Sequence, residues 1–311
     1  MRLSPYILLA VVAVAAAGCR TSPASIPHGA TAAEVKAIAD AELAAKNYPT
    51  AARTYELLID DYPRTPEADA AWWLAAEAWY FNGDLKLAQE SYEDFHDAFH
   101  LHNLGVLGER MYDIGVRRYE RGKSGLAGLG IMKTSDSGLR ALTWITEKLH
   151  NGSRADDAYF FVGRARLRGY EFDEAVLNFS QILDDYPQSE WTYEARFLRG
   201  IAYRRINRGA AYDLDSLILA RADFAIYIRI IERSEALRTE YADRLADAKE
   251  QLEEIDGLLA AKSVLIADFY RGRERFSAER MYLEHASRRY PETEAGREAK
   301  DRLEALAAGE E

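Results

Sequence analysis

The chain holds one cysteine in 311 residues, Cys19, and its neighbours decide what that thiol does. It follows the small residues Ala16, Ala17 and Gly18, which themselves close the uninterrupted apolar run Tyr6–Ala17. Ala16-Ala17-Gly18-Cys19 has the form of a bacterial lipobox. The chemistry it implies is transfer of diacylglycerol to the Cys19 sulfur, cleavage before Cys19, and acylation of the new amine. Several acyl chains, each worth about 0.8 kcal/mol per buried CH₂, make a stable anchor where a single chain does not. The alternative is an ordinary secreted chain with an incidental cysteine near its cut. The single Cys falls where the lipid signal requires it, and the lipoprotein reading is adopted here.

Other chemistry-bearing residues are sparser. His96 and His100 stand at i, i+4 with His102 nearby, a spacing that suits two metal ligands on one helix face, but no third ligand shares that face and no metal is assigned. Gly122-Lys123-Ser124 resembles the end of a phosphate-binding loop, yet Arg117 occupies the place of its first glycine and no strand precedes it. Asp60-Asp61 and Asp184-Asp185 fall at equivalent places in a repeat, so they belong to the repeat and not to an acid–base pair. With no nucleophile–base constellation, the chain is expected to be a non-enzymatic scaffold without a cofactor other than covalent lipid on Cys19. If Cys19 is acylated, neither a disulfide nor a thiol-based site is available. A net charge of −11 argues against general nucleic-acid binding.

The elements that position these residues begin with a signal peptide over residues 1–18. Arg2 supplies its charge, and a twelve-residue apolar run spans only about 18 Å as a helix, too short for a hydrocarbon core of about 30 Å. Arg20 follows the lipobox; in the best-known sorting rule an Asp there would retain the protein in the inner membrane, so the outer membrane is expected. Residues 19–30 are rich in Ser, Pro and Gly and read as a flexible tether. Residues 31–311 are expected to form one all-α solenoid with inserted loops at 122–138 and 206–216.

The evidence for a solenoid is internal repetition. YELLIDDYP, Tyr55 to Pro63, returns as FSQILDDYP, Phe179 to Pro187, and as HASRRYP, His285 to Pro291. In the first two, a small residue stands four before the aromatic (Ala51/Tyr55 and Ala175/Phe179), with proline eight beyond it. The alanine lets two helices approach closely, the aromatic fills the groove beside it, and the proline stops the helix. Trp72, Trp79, Gly83, Leu85, Ala88 and Tyr92 fit the same unit, with His100 in place of its proline. This is the tetratricopeptide pattern. It predicts five to six helical pairs, near 31–63, 67–100, 103–151, 154–187, 190–233 and 237–291, closed by a capping helix over 293–308 and stacked into a superhelix with a concave face. The segment 237–270 is expected to be one long helix that covers the solenoid end.

The Cys19 lipobox, the three Tyr-Pro helix ends, the pair Asp156–Pro187, the inserted Tyr212-Asp213 loop and the segment RFSAERMYLEHASRRYPETEAGREA together resemble the BamD family of outer-membrane assembly lipoproteins. The insertion at 122–138 departs from its best-known members and marks a divergent branch. The resemblance implies a lipid-anchored, periplasm-facing scaffold at the outer membrane. Its partners would be a BamA-like insertase, other assembly lipoproteins and unfolded outer-membrane proteins bearing C-terminal signals. A general cell-envelope adaptor, linked to peptidoglycan or division, shares the same repeat pattern and remains the alternative.

In the repeat register, Trp73, Glu77, Tyr80 and Phe81 of the second pair, Phe160, Arg164 and Arg168 of the fourth, and Phe197, Arg204 and Arg205 of the fifth are expected to face the concave groove. Residues 31–100 carry 14 acidic and 5 basic side chains, residues 104–168 carry 7 and 12. Such a groove suits an extended peptide with aromatic side chains and a free carboxylate. Aromatic residues at helical spacing serve a core equally well, so Trp73 and Phe160 have two possible placements.

Overall fold

The computed structural model describes residues 22–308 except 101, 125–134, 210, 211 and 213. The signal peptide and Cys19 lie outside the described residues, as do Asp213 and the middle of the 122–138 insertion. Every regular element among the described residues is an α-helix, fourteen in all. They are α1 Ala32–Ala44, α2 Tyr48–Asp61, α3 Pro66–Asn82, α4 Leu85–Ala98, α5 Leu104–Ser124, α6 Ser135–Lys148, α7 Ala155–Arg168, α8 Phe172–Asp185, α9 Thr192–Ile206, α10 Asp215–Glu232, α11 Glu235–Glu240, α12 Ala242–Arg271, α13 Phe276–Arg289 and α14 Glu294–Ala308. The chain divides into two compact units, Met1–His102 and Asn103–Glu311. Within each unit every helix packs on its neighbours in sequence, which is how a helical-repeat protein buries faces that no single pair can cover.

The repeat is built from four recurring devices. A small residue in the first helix of a pair, Ala39, Ala76 or Gly163, stands twelve residues before a small residue in the second, Ala51, Ala88 or Ala175, and all six are buried. Four residues on, Tyr55, Tyr92 and Phe179 fill the space between the helices and are fully buried. Between the helices the chain turns through a left-handed residue, Lys46 (φ 61°), Gly83 (85°), Tyr170 (63°) or Glu274 (57°), five residues before the second small position. The second helix ends on an aromatic in one backbone geometry: Tyr62 (φ −126°, ψ 45°), Phe99 (−135°, 51°), Tyr186 (−125°, 55°) and Tyr290 (−133°, 52°). Proline follows three of these and disfavours helical geometry in the residue before it. His100 follows Phe99, and the break is unchanged, so packing of the aromatic suffices to set it.

Residues 22–30 do not hang free of the first unit. The Ala24 amide donates to Thr54 Oγ1 at 2.9 Å, and the Tyr62 hydroxyl donates to the Ala30 carbonyl at 2.6 Å. Thr54 is fully buried and donates its own proton to the Thr50 carbonyl at 2.7 Å, so both capacities of its hydroxyl are used. The described part of the expected tether is therefore a strap along α2. Its Ser/Pro composition disguised this because the bonds come from partners 30 and more residues away.

The second unit has a continuous core from Phe160 to Ala260, with Tyr290 added from the end of α13. A smaller cluster of Val264, Ala267, Leu283, Ala286 and Ala299 joins α12, α13 and α14. The third pair is closer than its sequence suggests, and both ends of the expected loop at 122–138 are helix: α5 runs to Ser124 and α6 starts at Ser135. Gly115 and Gly138 make that approach possible, since a Cβ on Gly138 would fall 2.5 Å from the Gly115 carbonyl oxygen. The expected long helix is broken at Tyr241 (φ −107°, ψ 26°) into α11 and α12. Ser234 caps α11, and α12 packs on α10, α13 and α14, covering the end as anticipated. In the last pair the small position is taken by Glu279, 1% exposed, whose carboxylate meets Arg302 of α14 at 2.9 Å.

Candidate functional site

The candidate groove residues fall into two sets, one in each unit. In the first unit α3 carries Trp73, Glu77, Tyr80 and Phe81. Trp73 is half-buried and turns toward α4, with its ring 5.3 Å from Tyr92 and 5.1 Å from Phe95. Glu77 accepts a short hydrogen bond from the Tyr92 hydroxyl. These two hold the pair together and do not stand open in a groove. Phe81 is 51% exposed and lies at the far end of α3, where its ring approaches Tyr48 of α2 at 5.9 Å and Tyr80 at 5.5 Å.

In the second unit the structure corrects two of the expected positions. Phe160 is 1% exposed and stacks on Trp191 at 4.0 Å with the planes 14° apart. Phe197 is 2% exposed and sits between Phe224 and Tyr227, with the Arg244 guanidinium 4.9 Å above its ring. Both are core residues. Each repeat offers its first helix to the preceding and the following pair, so an aromatic there is covered by the next repeat, as Trp191 covers Phe160. The Trp191 indole N–H then donates to Asp157 at 2.8 Å, and Asp157 also meets Arg154 at 3.0 Å.

The arginines are better placed for a ligand. Arg164 is half-exposed with its guanidinium 5.4 Å from the Phe160 ring, and Arg168, one turn on, is exposed and donates to the Tyr119 hydroxyl of α5 at 2.8 Å. Arg205 is exposed at the end of α9. Arg204 is tied to Glu254 of α12 at 3.7 Å, which turns it toward that helix. The described charge at the centre of this unit is a buried ion pair that the sequence reading missed. Asp223 of α10, nearly fully buried, receives two bonds from Arg199 at 2.8 Å each and one from Arg196 at 3.3 Å. Burial pulls the Arg199 guanidinium down, but the bonds from Asp223 outweigh it and leave it above the ordinary range. Burial likewise pushes up the phenols of Tyr112 and Tyr186, each to about 12.

A cleft of about 470 Å³ lies between the start of α8, the end of α9 and the start of α10. Asp173, Tyr203, Arg208, Tyr212, Asp215 and Leu219 line it. The inserted loop at 206–216 was the sequence signal for it, since an insertion between two packed helices must open space at their ends. Its walls carry both charges and an exposed Tyr212. No group of three or more His, Cys, Asp or Glu side chains placed to hold a metal ion occurs among the described residues. His96 is nearly buried and meets His100 edge-on at 5.6 Å. No helix among the described residues is long and apolar enough to cross a membrane.

The family model YfiO, described as an outer membrane lipoprotein, matches residues 119–308, from the end of α5 through α14. This chain belongs to that family. The match covers more than half of the sequence and takes in the helix pairs that carry Arg164, Arg168 and Arg205. A crystal structure of a tetratricopeptide repeat protein from Parabacteroides merdae matches at 14% identity, covering 88% of this chain and 97% of that chain, with a TM-score of 0.33. No curated protein matches the sequence.

Proposed function

We propose that this protein is a scaffold of outer-membrane β-barrel assembly, anchored through lipid on Cys19 with its helical pairs in the periplasm. It does no bond chemistry. It holds a BamA-like insertase, works beside other assembly lipoproteins, and receives C-terminal signals of unfolded barrel proteins. The observation that carries this reading is membership of the outer membrane lipoprotein family across residues 119–308. The lipobox and the charge-bearing exposed face of α7 support it. On that face Arg164 and Arg168 offer a carboxylate two guanidinium forks one turn apart, and charge-assisted bonds of this kind are about twice as strong as neutral ones. Phe160 supports Arg164 from within, and neither Phe160 nor Phe197, both buried, takes part in contact with the ligand.

The deciding experiment is affinity purification from detergent-solubilised membranes, with a Cys19→Ala control, followed by mass spectrometry. A barrel insertase with its periplasmic domains among the top partners is the expected result. Peptidoglycan or division proteins in its place would move the function to the adaptor alternative. The double variant Arg164→Glu with Arg168→Glu tests the peptide role separately. It should fold, because both side chains reach solvent, and should weaken binding of a peptide ending in an aromatic residue by about tenfold or more, the loss of one or two charged hydrogen bonds. Unchanged peptide affinity would refute that role.

A further inference from the structure

The strap fixes more than the start of α1. From Ala24, bonded to Thr54 in the middle of α2, to Ala30, bonded to Tyr62 at its end, the chain runs parallel to α2. Followed backward, it heads for the N-terminal end of α2, where the α1–α2 turn carries Lys46 and Tyr48. Cys19 stands only five positions before Ala24. Fully extended they reach about 18 Å. Thr54 to Tyr48 is six residues of helix, about 9 Å. The backbone of Cys19 therefore reaches at most about 9 Å past this end of the first unit along that line. A bilayer that holds its lipid there lies close to the turn.

What waits at that end fits a bilayer surface. Tyr48, Tyr80 and Phe81 gather there, with Phe81 half exposed and ring separations of 5.9 Å and 5.5 Å. Tyrosine favours the membrane–water boundary because its ring is apolar and its hydroxyl is wet, and phenylalanine inserts beside it. Lys46 stands against two acids, Glu42 in the last turn of α1 and Asp84 before α4, so the contact rests on apolar side chains and not on positive charge.

We propose that the strap seats the α1–α2 and α3–α4 turn end of the first unit on the lipid surface, with Tyr48, Tyr80 and Phe81 at the interface. The anchor then orients the first unit as well as retaining it. This rests on acylation at Cys19 and adds to it a defined face and a fixed stand-off.

The test uses the full-length acylated protein in vesicles of phosphatidylethanolamine and phosphatidylglycerol that carry doxyl-labelled lipid. Because acylation consumes Cys19, a cysteine placed by Asn82→Cys, beside Phe81, or by Asp61→Cys, at the other end of α2, takes an environment-sensitive dye alone. The dye at position 82 should shift to the blue and lose most of its fluorescence to the doxyl lipid, and the dye at position 61 should do neither. A Gly-Ser segment of twenty residues inserted after Thr21 should abolish the difference while leaving the protein membrane-bound. Acylated, vesicle-bound protein with equal, unquenched dyes at 82 and 61 would overturn the orientation and leave the anchor standing. Absence of acyl mass on the Cys19 peptide would overturn the anchor and this inference with it.

Discussion

Replacing Gly163 by Ala tests the packing on which the repeat depends. A Cβ there would lie 2.8 Å from Phe179 Cε1 and 3.1 Å from both Cδ1 and Cζ, well inside contact distance for carbon. Phe179 is fully buried, between Phe160 and the rest of the core, and the obstacle is a ring face and not the tip of a flexible chain. Forcing one methyl into such a place costs about 1–3 kcal/mol. Against it stands the helix preference of Ala over Gly, about 1 kcal/mol. The net expectation is a loss of about 1 kcal/mol. Gly257 in α12 is the internal control, because a Cβ there meets nothing within 4 Å. Gly257→Ala should therefore gain close to the full 1 kcal/mol of helix preference. Thermal unfolding followed by circular dichroism reads the contrast: at about 2–4 °C per kcal/mol for a unit of this size, the two variants should differ in Tm by about 4–8 °C with opposite signs. Two variants that stabilise equally would refute the idea that α7 and α8 meet through Gly163.

Alkaline titration should destabilise the protein before it unfolds completely. Tyr112 and Tyr186 hold pKa values raised by burial to about 12 against an ordinary 10, so the folded state favours the neutral phenol. That contribution is whole below about pH 10 and is lost as pH rises toward 12, where the unfolded chain ionises first; the phenolate absorbance by which the protein exceeds its Tyr112→Phe/Tyr186→Phe variant should appear together with the loss of ellipticity over that window, and that difference appearing near pH 10 with the fold intact would contradict it. Gly83→Ala places a side chain at φ 85° and should lower stability by about 1 kcal/mol in urea unfolding, with Gly83→Asn recovering part of it because Asn tolerates that region; an unchanged midpoint would mean the turn relaxes.

The sequence alone determined the repeat and its period. Helix-pair boundaries inferred near 31–63, 67–100 and 154–187 match α1–α2, α3–α4 and α7–α8 to within a few residues. The signals are local and physical: a small residue, an aromatic four later, and a chain break after an aromatic. The proposed lipobox at 16–19 is likewise a pattern of adjacent residues. Tertiary structure decided what faces where. Phe160 and Arg164 are one turn apart on α7, and periodicity cannot tell a groove from the flank that the next repeat covers; Trp191, from that repeat, made Phe160 core and left Arg164 at the surface. The Arg199–Asp223 pair joins α9 to α10 across 24 positions, and no local pattern announces a charge that is buried only because its partner is. The strap follows the same logic. Ser and Pro leave the backbone without helical bonds of its own, and whether it hangs loose or is fixed depends on Thr54 and Tyr62, which the fold alone brings beside it.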